Sequence, residues 1–163
     1  MLQQFPDVTL VQFVDGDCEV VPGWLEAARS FLAERPTYAV VCGRRRERHP
    51  ERSMYNAMCD REWDTPIGDT QTCGGDAMMR VDALKAASGY RDSMIAGEEP
   101  ELCFRLRQAG WHIHRLDRDM TLHDARFLDI VPEPWWKGPS AVMTTLFPSV
   151  ILQQQVNSVS TRH

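Results

Sequence analysis

An apolar segment near the start of this 163-residue chain ends abruptly in acids, as VQFVDGDCEV at positions 11–20. Val11, Phe13 and Val14 predict a buried strand, because short, mostly apolar runs bounded by turn residues are typical of core strands. Asp15 and Asp17 follow, and residues two apart in an extended chain point to the same side. Gly16 between them leaves room for a ligand to approach the backbone. The segment therefore predicts a core strand whose end presents two carboxylates to the same ligand.

Composition sets limits on the function classes that the chain can belong to. It is 43% hydrophobic and 25% charged, as expected of one globular domain. A net charge of -5 argues against nucleic acid as a partner, since binding phosphates requires a basic surface. The five cysteines form no C-x-x-C pair, and we see neither a signal peptide nor an apolar run long enough to span a bilayer. We expect reduced thiols and a cytoplasmic protein.

Strand-like and helix-like segments alternate along the chain, which predicts an α/β fold. Further strands are expected within 37–43, 72–80, 111–116 and 120–124, and helices within 19–36, 54–63, 81–90 and 98–110. The arginine-rich stretch 44–53 is assigned to a loop. It can contact donor phosphates, an anionic acceptor or a membrane surface, or it can be a solvated loop balanced by Glu47 and Glu51.

The end of the chain differs in composition from the rest. Residues 138–161 contain no Asp, Glu, Lys or Arg, after a body rich in all four. We therefore predict two regions, a folded domain at 1–137 and an uncharged tail at 138–163. The tail fits either an accessory segment or an altered C-terminus.

The acidic pair has three chemical interpretations. Mg²⁺ and Mn²⁺ prefer oxygen ligands and commonly bind through one or two carboxylates together with substrate phosphates. An EF-hand loop counted from Asp15 lacks the glycine required at its sixth position, where Val20 stands. A D-x-D phosphohydrolase normally has Thr or Val where this chain has Glu19. A solvated acidic turn is the remaining alternative.

A second acidic group occurs at the start of the helix predicted for GEEPELCFRLRQAG. Glu98, Glu99 and Glu101 gather where the helix dipole stabilises negative charge, which suffices to explain them structurally. A carboxylate fixed at such a helix end can also act as a general base toward a hydroxyl group. His123 in TLHD is either a packed residue or a ligand.

These motifs together, in the order DGD, GGDAMMR, GEEPELCFRLRQAG and TLHD, resemble the family 2 glycosyltransferases. The resemblance covers Val11 to Trp136. It implies a GT-A-like mixed sheet flanked by helices. In that family a nucleotide-binding half precedes the acidic strand, so the resemblance implies that this chain lacks a counterpart of the N-terminal half. We expect the chain alone to bind nucleotide sugars poorly.

The resemblance assigns roles to individual residues on the donor side. Asp17 would ligate Mg²⁺ or Mn²⁺, and Asp15 would contact the metal or the nucleotide ribose. His123 would approach the metal or the diphosphate. Gly75 and Arg105 would shape the donor-sugar and acceptor sites.

The resemblance also implies a reaction. Glu99 occupies the position of the family's catalytic base, which is usually Asp, and Glu98 is the rival candidate. The implied activity is inverting, metal-dependent sugar transfer from a UDP-, GDP- or dTDP-sugar to a sugar, lipid-linked or polysaccharide acceptor, with peripheral membrane association as a further expectation. A non-catalytic interaction module that retains half of the fold is the main alternative, and a phosphohydrolase is the third. All of this requires the acidic pair and the Glu98–Glu99 helix end to face one cleft, with His123 on its rim.

Overall fold

The computed structural model describes residues 8–124 of the chain. Their strands and helices, in chain order, are β1 (Leu10–Phe13), β2 (Cys18–Val20), α1 (Trp24–Glu34), β3 (Tyr38–Glu47), α2 (Met54–Glu62), β4 (Gly68–Asp69), β5 (Ala77–Arg80), α3 (Val81–Ala86), α4 (Glu98–Gln108) and β6 (His112–His123). Each helix lies within a segment where the sequence predicts one.

The strands of this region form one mixed sheet. The strand order is β1-β5-β3-β6-β2, with β4 paired to β6. The β3–β6 pair is parallel, whereas the pairs β1–β5, β3–β5, β2–β6 and β4–β6 are antiparallel. Helices flank the sheet. The α/β class is therefore confirmed, and a mixed sheet flanked by helices agrees with the GT-A-like architecture that the resemblance implies.

Helix α1 packs on the sheet through one apolar stripe. Trp24, Ala28 and Leu32 are spaced four residues apart and are almost completely buried. Gly43 in β3 makes room for the largest of them, since a Cβ at that position would lie 2.7 Å from the Trp24 ring. The pairing of a tryptophan with a glycine therefore fixes how closely the helix approaches the sheet.

The assignment of the arginine-rich stretch 44–53 to a loop is wrong for its first part and correct for residues 48–53. Its first part, Arg44 to Glu47, completes β3 and pairs in parallel with the end of β6. The arginines are accommodated because they form ion pairs: Arg44 lies 2.8 Å from Asp64 and Arg46 lies 2.8 Å from Asp60. A run of arginines is typical of a solvated loop, and the sequence does not show that these arginines pair with acids that are distant along the chain.

The prediction of two short strands at 111–116 and 120–124 also needs correction. The structure has a single strand, β6, through the exposed residues 117–119 between them. Charged residues in a strand interior are tolerated where their side chains face solvent. The short strands β2 and β4 were not predicted, because each is too brief to show a pattern.

Among residues 8–124, no helix is both long and apolar enough to cross a membrane. The boundary predicted between residues 137 and 138, and the tail 138–163, lie outside the described residues.

Candidate functional site

Pairing between β1 and β5 places the first aspartate of the acidic pair. Phe13 lies opposite Ala77, so the residues that follow β1 meet those that precede β5. The backbone N–H of Asp15 donates to Oδ1 of Asp76 over 2.8 Å. Asp76 is only 1% exposed. We refer to residues Cys73–Asp76 as the glycine loop, and one end of this loop therefore anchors the acidic segment.

A partly buried arginine joins the two aspartates. Nη2 of Arg45 lies 2.6 Å from Oδ2 of Asp15 and 3.0 Å from Oδ2 of Asp76. The hydroxyl of Thr121 donates to the same Asp76 oxygen over 2.6 Å. Burial by itself lowers the pKa of Arg45. The negative charges of Asp76 and Asp15 raise this pKa by more than burial lowers it, so the guanidinium remains charged. One carboxylate oxygen of Asp15 is thus committed to an internal ion pair, and a metal-binding role for Asp15 stays a prediction.

Gly75 in the glycine loop is required by the position of the Asp15 carboxylate. A Cβ at Gly75 would lie 2.7 Å from Oδ2 and 3.0 Å from Oδ1 of Asp15. Any side chain there would displace a carboxylate that Arg45 holds. The structure thus brings Gly75 and Asp15 into contact, while the predicted role of Gly75 toward a donor sugar stays untested.

Asp17, the second aspartate, faces His123. Nε2 of His123 lies 3.1 Å from Oδ2 of Asp17, and Nδ1 lies 2.9 Å from Oε2 of Glu47. The side chain of Glu47 is completely buried, and Asn56 donates to its other oxygen over 3.1 Å. The Trp63 ring also packs against the imidazole in a T-shaped arrangement, with ring centroids 4.9 Å apart. The imidazole is therefore fixed on several sides.

The two carboxylates control the protonation of His123. Burial of the imidazole lowers its pKa, but hydrogen bonds to Asp17 and Glu47 outweigh burial, and the pKa is raised above 6.5. With a carboxylate at each nitrogen, the protonated ring can donate twice. In this form it is a cation placed beside the acidic segment.

The same residues fit a divalent cation. Metal-binding histidines commonly donate their second ring N–H to a carboxylate, which fixes the tautomer and leaves the other nitrogen for the metal. Glu47 is the carboxylate that contacts the second ring nitrogen, Nδ1, of His123. Neighbouring ligands of an octahedral ion with bonds of about 2.1 Å lie about 3.0 Å apart, close to the 3.1 Å between Asp17 and His123. The Asp17 side chain is 41% exposed, so an ion can reach it from solvent.

Glu99 on α4 contacts the other end of the glycine loop. Its Oε1 accepts hydrogen bonds from the backbone N–H of Cys73 at 2.7 Å, the Cys73 thiol at 3.1 Å and the Cys103 thiol at 3.0 Å. Hydrogen bonding to Cys103, together with burial, raises the pKa of the Cys73 thiol well above its ordinary value. A protonated, buried thiol is a poor nucleophile, which argues against a cysteine-based mechanism here.

The remaining predicted residue, Arg105, is occupied by structural contacts. It forms an ion pair with Glu101 at 2.7 Å and donates to the backbone oxygens of Ala87 and Gly89. These bonds attach α4 to the segment that follows α3. The predicted role of Arg105 in the donor site remains a prediction, as does that of Glu98, which is half-buried in the first turn of α4.

The glycine loop connects the two acidic groups that the sequence singled out. Asp15 hydrogen-bonds one end of the loop and Glu99 the other. The ends are three residues apart, so their Cα atoms are separated by at most about 11 Å. Sequence reasoning missed Arg45, Asp76 and Glu47, which organise this region. Their only sequence signal was charge close to strand ends, which solvated residues share.

Comparison with known proteins gives two partial similarities. No family model matches the chain. A segment of 44 residues, 27% of the chain, is 80% identical to the salicylate 5-hydroxylase large oxygenase component of a Ralstonia species and covers 10% of that protein. A segment of 69 residues, 42% of the chain, is 35% identical to the succinoglycan biosynthesis protein ExoA of Rhizobium meliloti (strain 1021) and covers 21% of it.

Both matches are short relative to the relatives' own length, a tenth of one and about a fifth of the other. The distant similarity to ExoA supports a relationship to family 2 glycosyltransferases at most. The similarity to the hydroxylase component has the higher identity but concerns a different kind of enzyme over a short stretch.

Proposed function

We propose that this chain carries the metal- and acceptor-binding part of an inverting glycosyltransferase. The observation that carries the proposal is the contact of Asp17 with His123, together with the buried Glu47 behind the imidazole. The similarity to ExoA supports glycosyl transfer in general. The donor would be a UDP-, GDP- or dTDP-sugar, and the acceptor hydroxyl would belong to a sugar, a lipid-linked sugar or a polysaccharide.

Asp17 and His123 would hold Mg²⁺ or Mn²⁺ in this proposal. Such an ion supplies Lewis-acid stabilisation of the diphosphate that leaves. Glu47 would orient His123 by accepting the Nδ1–H, so that Nε2 points toward the ion. Arg45 would keep Asp15 at the glycine loop, where the remaining carboxylate oxygen of Asp15 would contact the donor.

Glu99 would act as the general base. It would take the proton from the acceptor hydroxyl while that oxygen attacks the anomeric carbon. The hydrogen bonds from Cys73 and Cys103 all use Oε1, so Oε2 is the oxygen we assign to the acceptor. These bonds fix the orientation of the carboxylate, which matters because misplaced catalytic groups lose much of their effect.

The test is release of nucleoside diphosphate from UDP-, GDP- and dTDP-sugars, at high donor concentration and with Mn²⁺. We expect release that requires the metal and falls at least about a hundredfold in Asp17→Asn and in Glu99→Gln, as is usual when a general base is removed. Glu98→Gln distinguishes the two candidate bases. Glu26→Gln, at an exposed position of α1, is the matched control.

Several results would contradict the proposal. Metal-dependent release of nucleoside diphosphate that persists in Asp17→Asn would show that Asp17 is not a metal ligand. Loss in Glu98→Gln with retention in Glu99→Gln would transfer the base to Glu98. A folded chain that ignores both metal and sugar nucleotides would favour the non-catalytic interaction module.

A further inference from the structure

Two thiols and a carboxylate meet beside the glycine loop. The sulfurs of Cys73 and Cys103 are 3.6 Å apart, and Oε1 of Glu99 lies 3.1 Å and 3.0 Å from them. Glu99 and Cys103 are four residues apart on α4 and therefore share one face of the helix. Cys73 approaches this face from the glycine loop. Three potential metal ligands thus converge from two elements.

The separations of these atoms are close to those around a tetrahedral zinc ion. With Zn–S bonds of about 2.3 Å, two thiolates on one ion lie about 3.7 Å apart. The observed sulfur–sulfur distance is 3.6 Å. A thiolate and a carboxylate oxygen on the same ion lie roughly 3.6 Å apart, so Glu99 would have to withdraw by roughly half an ångström. A side chain with three rotatable bonds can make that adjustment.

A disulfide would need a larger change. Its sulfurs are about 2.05 Å apart, so Cys73 and Cys103 would have to approach by roughly 1.5 Å. It would also leave Glu99 without the two thiol donors that it now contacts. Metal binding keeps all three groups together, and the donor set agrees with the preference of zinc for sulfur and oxygen ligands.

A second cluster, formed by Asp15, Cys18 and Asp76, is a weaker candidate. Arg45 already lies 2.6 Å from Asp15 and 3.0 Å from Asp76. A cation there would be repelled by the guanidinium and would have to displace it. In the Cys73–Glu99–Cys103 cluster, by contrast, the donors to Oε1 of Glu99 are neutral groups, namely the Cys73 N–H and the two thiols.

We propose that Cys73, Cys103 and Glu99 form a binding site for a thiophilic divalent cation of the zinc type, separate from the Asp17–His123 site. The hard ions Mg²⁺ and Mn²⁺ prefer oxygen ligands, so the two sites would discriminate between metals by ligand softness. An ion here would also occupy the carboxylate of Glu99. Zinc would therefore inhibit sugar transfer. This inhibition rests on the proposed function, whereas the binding of zinc does not.

The experiment titrates the reduced, full-length chain with Cd²⁺ and with Zn²⁺ in excess Mg²⁺, without donor or acceptor. We expect one thiolate-bound ion per chain, with a thiolate-to-cadmium charge-transfer band in the ultraviolet. Cys73→Ser and Cys103→Ser should each lower the affinity at least tenfold. Glu99→Gln should weaken binding but keep the band, because both thiolates remain. Cys59→Ser is the matched control, and Cys18→Ser tests the second cluster.

X-ray absorption at the zinc edge of the unmodified chain provides a reading that does not depend on folding of the variants. Two sulfur ligands with oxygen or nitrogen neighbours would support the site. A shell without sulfur, a band abolished by Cys18→Ser, or no binding above that of Mg²⁺ would overturn it. Failure of this titration leaves sugar transfer untouched, and absence of sugar transfer leaves the metal site untouched.

Discussion

At the scale of single residues, the two glycines near Asp15 differ in what surrounds them. A Cβ at Gly75 would meet the Asp15 carboxylate at 2.7 Å, whereas a Cβ at Gly16 would meet nothing within 4 Å. We expect Gly75→Ala to lower the free energy of unfolding by about 1–3 kcal/mol, because an added methyl group overpacks a fixed neighbour. Thermal or urea unfolding measures this.

The matched control is Gly16→Ala, which adds the same methyl group one residue from Asp15. Its effect should stay within about 0.5 kcal/mol, as for ordinary surface substitutions. Equal losses in the two variants would show that contact with Asp15 is not what requires a glycine at position 75.

Residue-scale patterns predicted part of the candidate site. The acidic pair and Glu99 stand out in the sequence because acids at a strand end or a helix start are recognisable by spacing, whereas His123 stands out through the motif TLHD. Arg45 and Asp76 do not stand out, because each appears in the sequence as one charge among many. Their importance comes from burial beside one another, which depends on strand pairing.

At the scale of elements, the carboxylate of Asp60 helps to join α2 to β3. Asp60 accepts hydrogen bonds from Nε and Nη2 of Arg46, at 2.8 and 2.9 Å, and from the backbone N–H of Glu47 at 2.9 Å. The bond to Arg46 lowers the pKa of Asp60 below its usual 3.8. Since Glu47 supports His123, this helix–strand junction lies directly behind the candidate metal site.

We expect Asp60→Asn to lower the free energy of unfolding by about 1–2 kcal/mol at pH 7, because charge-assisted hydrogen bonds are lost and solvent screens part of the pair. A depressed carboxyl pKa contributes stability above pH 3.8 that is lost as the pH falls through the folded-state value. Denaturant unfolding from pH 7 downwards should therefore show the difference between parent and variant shrinking below pH 3.8. A difference that does not change with pH would contradict the ion-pair explanation.

The sequence predicted elements better than it predicted their extents. Helices α1 and α4 were predicted because one face of each is apolar, and because Pro36 ends the first segment and Gly110 the second. The end of β3 was missed because Arg44 to Arg46 have their acidic partners on other elements. The continuity of β6 was missed because its middle residues are charged and exposed.

At the scale of the whole described region, the parallel pairing of β3 with β6 assembles the site. Its register sets Glu47 beside His123 and Arg45 beside Thr121, across separations of about 76 residues along the chain. The β1–β5 pairing adds the acidic segment. Local sequence carries no information on such register, so the fold class could be predicted while the carboxylate behind the histidine could not.

The central claim is that Asp17 and His123 jointly bind a divalent cation. The most direct measurement is electron paramagnetic resonance of Mn²⁺ added to the chain, with pulsed detection of nitrogen coupling to the ion. We predict one bound Mn²⁺ with a histidine nitrogen in its coordination shell.

The affinity for Mn²⁺ should fall about 10–100-fold in Glu47→Gln, which alters only the group behind the imidazole, and further in Asp17→Asn. Asp92→Asn, at an exposed position elsewhere, should bind as the parent does. Mn²⁺ that binds without nitrogen coupling, or equally well in Asp17→Asn, would contradict the account.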